Sequence, residues 1–349
     1  MHHDEDGILY LCRSEVEKIC QDIDSVAVIR TVFEMHHTNQ TVLPDEAYLP
    51  WVNQKNESVR NLSMPAYVGG SLGMAGTKII NGNIHNPERG LPRASGVTLL
   101  YDNISARVMC IMEGAYISSL RTASVSALSI DILKGPDVSC AAVIGAGALA
   151  AAHIQLLAKR VPQLQLIKIF DLDKARIQAL QSELAATLQM HNVELQAAST
   201  AEEAIRSAQI IIPVTTTTEG YIPFSWLQPG SLLVNISLDD PLPDVVFQAS
   251  SVIVDDWNLV KNDPRRLIGR MYRKGQIIGP DEPGEPVSGE RRKIDAQLGD
   301  IVSGAKVGRR QDSDIVLVNP FGLAIEDIAL ATMVYRKGQE LGIGTWLPR

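Results

Sequence analysis

The sequence predicts an α/β fold with a parallel sheet, and three observations predict it. From about residue 138 to residue 254, short apolar β-prone runs alternate with helix-period runs, the pattern of strand–helix–strand units. The first run, ending at Ile144, passes into Gly145-Ala146-Gly147-Ala148-Leu149-Ala150, a Gly-x-Gly-x-x-Ala turn. The second, Leu166 to Phe170, stops at Asp171, 24 residues after Gly147.

Each part of this stretch has a physical use. Gly145 permits the tight turn, Gly147 lets backbone approach a pyrophosphate, and the small Ala150 lets helix and strand pack closely. A helix from Ala148 to Lys159 follows, with Ile154, Leu157 and Ala158 on one face, and its N-terminus offers free N–H groups to phosphates. An acid at the position of Asp171 accepts hydrogen bonds from ribose hydroxyls and repels a 2′-phosphate, which favours NAD over NADP. Asp173, Lys174 and Arg176 follow closely enough to alter that pocket. Taken alone, the glycine turn is equally a plain strand–helix connection; the strand, helix and terminal Asp around it make a Rossmann dinucleotide-binding domain the expectation.

Length and composition set the frame. A chain of 349 residues can hold two domains with proper cores. Its 45% hydrophobic and 21% charged residues are those of an ordinary globular protein. A net charge of -8 argues against nucleic-acid binding and leaves no basic membrane patch. Cys12, Cys20, Cys110 and Cys140 are scattered and read as reduced thiols of a cytoplasmic protein. No apolar signal core or membrane span is visible. His2-His3 beside Asp4-Glu5-Asp6 reads as a polar start rather than a metal site, and no metal is expected.

In chain order, Ile8 to Cys12 is a short strand, and Ser14 with Glu17 forms a capping box for a helix from Glu15. A second helix covers Asp24 to Gln40, with Val28, Val32 and Met35 on one face. Its terminal His36 and His37 are set to meet helix carbonyls. Leu43 to Arg60 reads as strand–loop–strand. Lys78 then sits inside an apolar strand, where it needs an anionic partner or must snorkel from a sheet edge. His85 belongs to a solvated turn. Residues 94–100 and 106–112 pair as strands, and Glu113-Gly114 opens a long Ala- and Ser-rich helix carrying Arg121 and Thr122. Arg121 can grip a substrate carboxylate bidentately, or form a structural ion pair with Glu113 or Asp131.

Leu133 to Asp137 is the crossing into the nucleotide domain. Beyond Asp171, a helix from Lys174 to about Met190 leads to strands at 193–197 and 209–214, with a helix at 201–207 between them. The latter strand ends in Thr215, Thr216, Thr217 and Thr218, where a parallel sheet places its ligands. Strand five, Ser231 to Ser237, ends at Asp239-Asp240-Pro241; strand six, residues 252–254, ends at Asp255-Asp256. Either acidic pair can supply a base, and either can be a turn or helix cap. Residues 280–286 form a surface loop and 298–304 a short helix. Asp314 to Val318 is the last strand, and Leu323 to Leu341 an amphipathic helix with Glu326 and Asp327 in its first turn.

Four segments in this order resemble the ornithine cyclodeaminase/μ-crystallin family across nearly the whole chain: Gly76-Thr77-Lys78, Ser118-Ser119-Leu120-Arg121-Thr122-Ala123, Gly145-Ala146-Gly147 and Gly322-Leu323-Ala324-Ile325-Glu326-Asp327. Arg93-Ala94-Ser95-Gly96 and Val254-Asp255-Asp256-Trp257 point, within the family, to the enzymes that oxidatively cleave N-(2-amino-2-carboxyethyl)-L-glutamate to L-2,3-diaminopropionate and 2-oxoglutarate for siderophores or peptide antibiotics. The resemblance implies a homodimer, NAD, and a small amino-acid substrate. It implies a Rossmann domain at 134–319 and a discontinuous α+β substrate and dimerisation domain at 1–133 and 320–349. It also implies that Lys78 and Arg121 contact the substrate carboxylate and that Thr122 touches cofactor phosphates, with Gly145, Ala146, Gly147, Ala148, Leu149, Asp171, Thr215, Thr216, Thr217 and Ser237 completing the cofactor site.

Two departures matter. Cyclodeaminases carry a further carboxylate-binding arginine where this chain has Pro44-Asp45-Glu46, so Arg60 or Arg93 is the candidate replacement. Their catalytic Asp lies in an Asp-x-Pro-Gly-Lys stretch; here it reads Ser237-Leu238-Asp239-Asp240-Pro241-Leu242-Pro243, where Asp239 aligns with the cyclodeaminase Asp and Asp240 with that of the diaminopropionate enzymes, so both remain candidates beside Lys78. The competing readings are an ornithine cyclodeaminase, an imine reductase or amino-acid dehydrogenase, and a non-catalytic ligand binder.

Overall fold

The computed structural model describes residues 7–349. The His2-His3 stretch lies outside the described residues. The chain divides into two compact units, one holding the described residues up to Arg121 together with Leu323–Arg349, the other Thr122–Gly322.

The first unit opens with β1 (Ile8–Leu11), α1 (Arg13–Cys20) and α2 (Ser25–His37). Helix α1 starts at Arg13, two residues before the predicted Glu15. Cys12, not Ser14, is the cap residue, and its amide donates to Glu15 at 2.8 Å, while Glu17 pairs with Arg13. Asp24 caps α2 by accepting from Val26 and Ala27, and the buried face is Val26, Ile29, Val32, Phe33 and Met35 rather than one through Val28. His36 bonds the Thr41 hydroxyl across the turn at 2.7 Å.

Strands β2 (Thr41–Val42), β3 (Ala47–Val52), β4 (Ser58–Val68), β5 (Met74–Asn83), β6 (Ala94–Tyr101) and β7 (Val108–Glu113) follow, and then α3 (Ala115–Leu133). Helix α3 is capped by Glu113, whose carboxylate accepts from the amides of Ala115 and Tyr116.

In the second unit, β8 (Cys140–Ile144), α4 (Ala150–Arg160), β9 (Leu166–Phe170), α5 (Lys174–His191), β10 (Glu194–Ala197), α6 (Ala201–Arg206), β11 (Ile210–Pro213) and β12 (Leu232–Val234) follow the predicted alternation. Then come α7 (Pro243–Gln248), β13 (Ser251–Val254), α8 (Trp257–Asn262), α9 (Leu267–Arg273), β14 (Ile277–Ile278), β15 (Arg292–Lys293), β16 (Ala296–Gln297), α10 (Leu298–Val302) and β17 (Val316–Val318). The chain returns to the first unit with α11 (Ala324–Leu341) and β18 (Thr345–Leu347), a strand the sequence did not signal.

The sheet of the second unit is parallel throughout, in the order β10-β9-β8-β11-β12-β17-β13-β16. Its central strands β8, β11, β12, β13 and β17 are buried at every position, as strands covered on both faces must be, whereas the edge strand β10 buries one residue in four. The predicted sixth strand is displaced: β17 inserts between β12 and β13. Strand order reverses between β8 and β11, which is where such sheets bind ligands.

The sheet of the first unit runs β18-β1-β7-β6-β5-β4-β2, with β3 also on β4. Helix α11 lies over β4, β5 and β6 and against α1 and α2. It is not amphipathic in the predicted sense. Buried residues run round it, Glu326 and Asp327 among them. Gly76 on β5 makes the close approach possible: a Cβ there would stand 2.7 Å from Ile328.

Candidate active site

The glycine turn of the second unit is built as the sequence implies. Gly145 follows β8 at φ +104°, a conformation for glycine, and a Cβ would lie 3.1 Å from the Val214 carbonyl just after β11. Nothing comes within 4 Å of a Cβ built on Gly147, so a ligand can come close to the protein backbone there. Ala148 is exposed, Leu149 half-buried, and no side chain caps the N-terminus of α4. Asp171 is tied to the turn, accepting from the Ala146 amide at 2.7 Å and the Asp173 amide at 2.8 Å. These residues fit a dinucleotide: uncapped helix N–H groups for phosphate and a carboxylate at the end of β9 for a ribose. Gly145→Ala is expected to cost about 1–3 kcal/mol of stability and to abolish saturable NAD binding. Thermal unfolding and an NAD titration check this; wild-type values in both would refute it.

Thr216 is exposed, and Thr217 bonds within its own turn, to the Glu219 carbonyl. Thr215 turns to Asp240, donating from Oγ1 at 2.8 Å, and its amide donates to Ser237 at 3.3 Å. Thr122 lies half-buried on α3, its carbonyl accepting from Ser126. His153, buried in α4, bonds the Leu149 carbonyl and Ser126, and burial pushes it down to about 4, so it adds no positive charge there.

The two adjacent acids, both buried, have separate environments. Asp239 is committed to Arg270 of α9, which donates to its two oxygens at 2.6 and 3.3 Å. Asp240 has hydroxyl partners instead: Thr215 and Tyr221 donate to Oδ1 at 2.8 and 2.9 Å, while Oδ2 is buried with no hydrogen-bond partner among the described residues. Burial holds the Asp240 carboxyl above the ordinary range, against the hydroxyls of Ser237, Thr215 and Tyr221 that favour its charged form. The Asp255-Asp256 pair takes structural roles. Asp256 caps α8 through the Leu259 amide, and Asp255 accepts from the Gly322 amide at 2.7 Å.

In the first unit Lys78 and Arg121 come together. Lys78 is 2% exposed and does not snorkel; it donates to Asp327 Oδ2 at 2.8 Å and to Ser118 at 3.3 Å. Arg121 donates to Asp327 Oδ1 at 3.1 Å and to Glu326 at 2.5 Å. Asp327 thus gives one oxygen to each cation. Neither partner foreseen for Arg121 is used: Glu113 caps α3, and Asp131 pairs with Arg160 at 2.7 Å. Burial and the Arg121 charge lower the Lys78 pKa, and Asp327 and Glu326 work against them.

Arg60 and Arg93 are not drawn into this cluster. Arg60 pairs with Gly82 and Lys78 with Met64, so Arg60 shares the sheet face of Lys78 about 13 Å along the strand. Arg93 is exposed, and its carbonyl accepts from Asn83 at the same end. His85 is solvated beside Glu88. Among the described residues no group of three or more His, Cys, Asp or Glu side chains could hold a metal ion.

Sequence reasoning missed Tyr221 and Arg270 as site residues and read Glu326 and Asp327 only as first-turn acids. For the two acids a signal existed: a lysine in an apolar strand demands a buried anion. For Tyr221 and Arg270 none did, since both act through loop and short-helix geometry.

The sequence profile of the ornithine cyclodeaminase/mu-crystallin family matches residues 45–341. The N-((2S)-2-amino-2-carboxyethyl)-L-glutamate dehydrogenase of Staphylococcus aureus is 30% identical over 346 residues, covering 97% of this chain and 98% of that protein. The crystal structure of CmnK has a TM-score of 0.88 at 33% identity and covers 98% of each chain. Thermococcus litoralis Delta(1)-pyrroline-2-carboxylate reductase, solved in complex with NADH and L-proline, has a TM-score of 0.84 over 97% of this chain and 99% of that one; at 24% identity the likeness is one of fold.

Proposed function

Because this chain belongs to the ornithine cyclodeaminase/mu-crystallin family, we propose that it is an NAD-dependent oxidoreductase acting on an amino-acid C–N bond, with N-(2-amino-2-carboxyethyl)-L-glutamate as substrate. The products are L-2,3-diaminopropionate, 2-oxoglutarate, NADH and one proton, with one water consumed. Full-length similarity to the Staphylococcus aureus dehydrogenase supports the substrate. The observation that carries the chemistry is Asp240, a buried carboxylate with Oδ1 held by the Thr215 and Tyr221 hydroxyls and Oδ2 without a hydrogen-bond partner within 3.5 Å among the described residues.

Gly145, Ala146, Gly147, Ala148, Leu149 and Asp171, with Thr122, Thr216 and Thr217, would hold NAD. When bound, NAD+ supplies the hydride acceptor for the substrate Cα–H. Lys78 and Arg121 hold a substrate carboxylate, a charge-assisted grip that fixes the reacting carbon before reaction. Asp240 Oδ2 takes the proton of the secondary amine, or of the water that adds to the resulting substrate imine before the C–N bond breaks. Asp239, already matched by Arg270, is not needed as a base.

A homodimer is the assembly we propose. Strand β3 is exposed along its whole length, with Tyr48, Leu49, Trp51 and Val52 among the exposed large hydrophobic residues. The four free cysteines support a reducing, cytoplasmic setting, and no helix among the described residues is long and apolar enough to cross a membrane.

The test is NADH absorbance with purified protein, NAD+ and N-(2-amino-2-carboxyethyl)-L-glutamate, with ornithine assayed in parallel. NADH with diaminopropionate supports the reading. Proline and ammonia from ornithine without net NADH would replace it with a cyclodeaminase; saturable NAD binding with no turnover on any amine would replace it with a binding protein.

A further inference from the structure

The segment from Thr215 to Ile222 is fastened to the turn that carries Asp240. The Tyr221 and Ile222 amides both donate to the Asp240 carbonyl at 2.9 Å, and Ile222 bridges Pro241 in parallel. Above these backbone bonds, the Thr215 and Tyr221 hydroxyls converge on a single side-chain oxygen, Oδ1. A hydroxyl placed by two flanking backbone bonds has little freedom to leave, so Oδ1 is occupied and the proton-exchanging position falls to Oδ2.

We propose that Tyr221 is the positioning residue of the catalytic base, holding Asp240 Oδ1 together with Thr215 so that Oδ2 exchanges the proton. This deepens the assignment of Asp240 above and rests on it. Burial and the neighbouring Asp240 push the Tyr221 phenol far above its ordinary value, so it stays protonated and stays a donor. The other groups around Asp240 are Ser237 and Asp239 on its own turn, Arg270 of α9 bound to Asp239, and the exposed Glu219 on the facing segment. With the Asp239 charge matched by Arg270, the hydroxyls are the groups that favour the charged form of Asp240. Removing one therefore raises its pKa, and the acid limb of activity moves to higher pH.

The experiment uses the full chain carrying Tyr221→Phe, with Thr215→Val and Thr215→Ser alongside. The acid limb of kcat/KM is read by NADH formation, and the Asp240 carboxyl is titrated directly by carbon-13 NMR, assigned with Asp240→Asn. Tyr221→Phe and Thr215→Val are expected to lower kcat on the order of tenfold with KM nearly unchanged, and to shift both the limb and the carbon titration upward. Thr215→Ser, which keeps its hydroxyl, is expected to stay near wild type. A Tyr221→Phe variant that titrates like wild type overturns the proposal, even where its thermal stability falls. If wild type turns over no amine but the carbon titration still moves, the functional reading fails and the clamp stands.

Discussion

Asp240→Asn is expected to lower kcat by about 10²–10⁴-fold while KM and NAD affinity stay near wild type. The amide keeps the shape and can still accept the Thr215 and Tyr221 hydroxyls at one oxygen, but it cannot take a proton. Asp239→Asn serves as the comparison. It weakens a two-bond ion pair whose Arg270 side chain is 40% exposed, so water can solvate the released cation, and the loss is one of modest stability. Steady-state kinetics on both variants decides the matter. If Asp239→Asn is the variant that loses kcat and Asp240→Asn turns over normally, the two roles are reversed.

Asp327→Ala is expected to cost about 3–5 kcal/mol, because it strips the shared anion from two buried cations. Lys78 suffers more, since burial and Arg121 already work against its charge and Asp327 opposes them; Arg121 keeps Glu326. The double variant Lys78→Met with Asp327→Leu removes charge and partner together, so it is expected to recover much of the stability yet, on the proposed role of Lys78 in gripping the substrate carboxylate, to remain inactive. Urea midpoints at unchanged m-value give the comparison. A single variant within about 0.5 kcal/mol of wild type would show that the cluster carries no such weight.

The sequence was most legible where one strand and one turn carried the message. The strand ending at Ile144, the glycine turn after it and the strand ending before Asp171 form where they were read, the first starting at Cys140 rather than Val138, because a parallel strand buried on both faces has an unbroken apolar signature. The N-terminus of α1 was misread by two residues because Ser14 is a better cap by composition than Cys12, while Glu15 decides the cap by reaching back. Helices α7 and α9 were not read from the sequence, and α8 only as far as its possible cap at Asp255-Asp256; at six, seven and six residues they are too short to show a period. Insertion of β17 ahead of β13 is a topological fact that no local pattern encodes. The buried cation cluster was half visible: Lys78 announced a missing anion, but the anion lay in a distant helix whose acidic first turn looked like an ordinary response to the helix dipole.

Lys78 and its anion are separated by 249 positions of chain. The unit Thr122–Gly322 is continuous in sequence, whereas the strands before it share their unit with Leu323–Arg349. Before that segment joins, Lys78 of β5 and Arg121 of α3 lack the anion they share, and water must keep both charges. Arrival of α11 neutralises both at once and closes the sheet at β18 beside β1. Without Asp327 the first unit would bury two cations lacking their shared anion, so its completion is tied to the segment furthest from Lys78 in sequence.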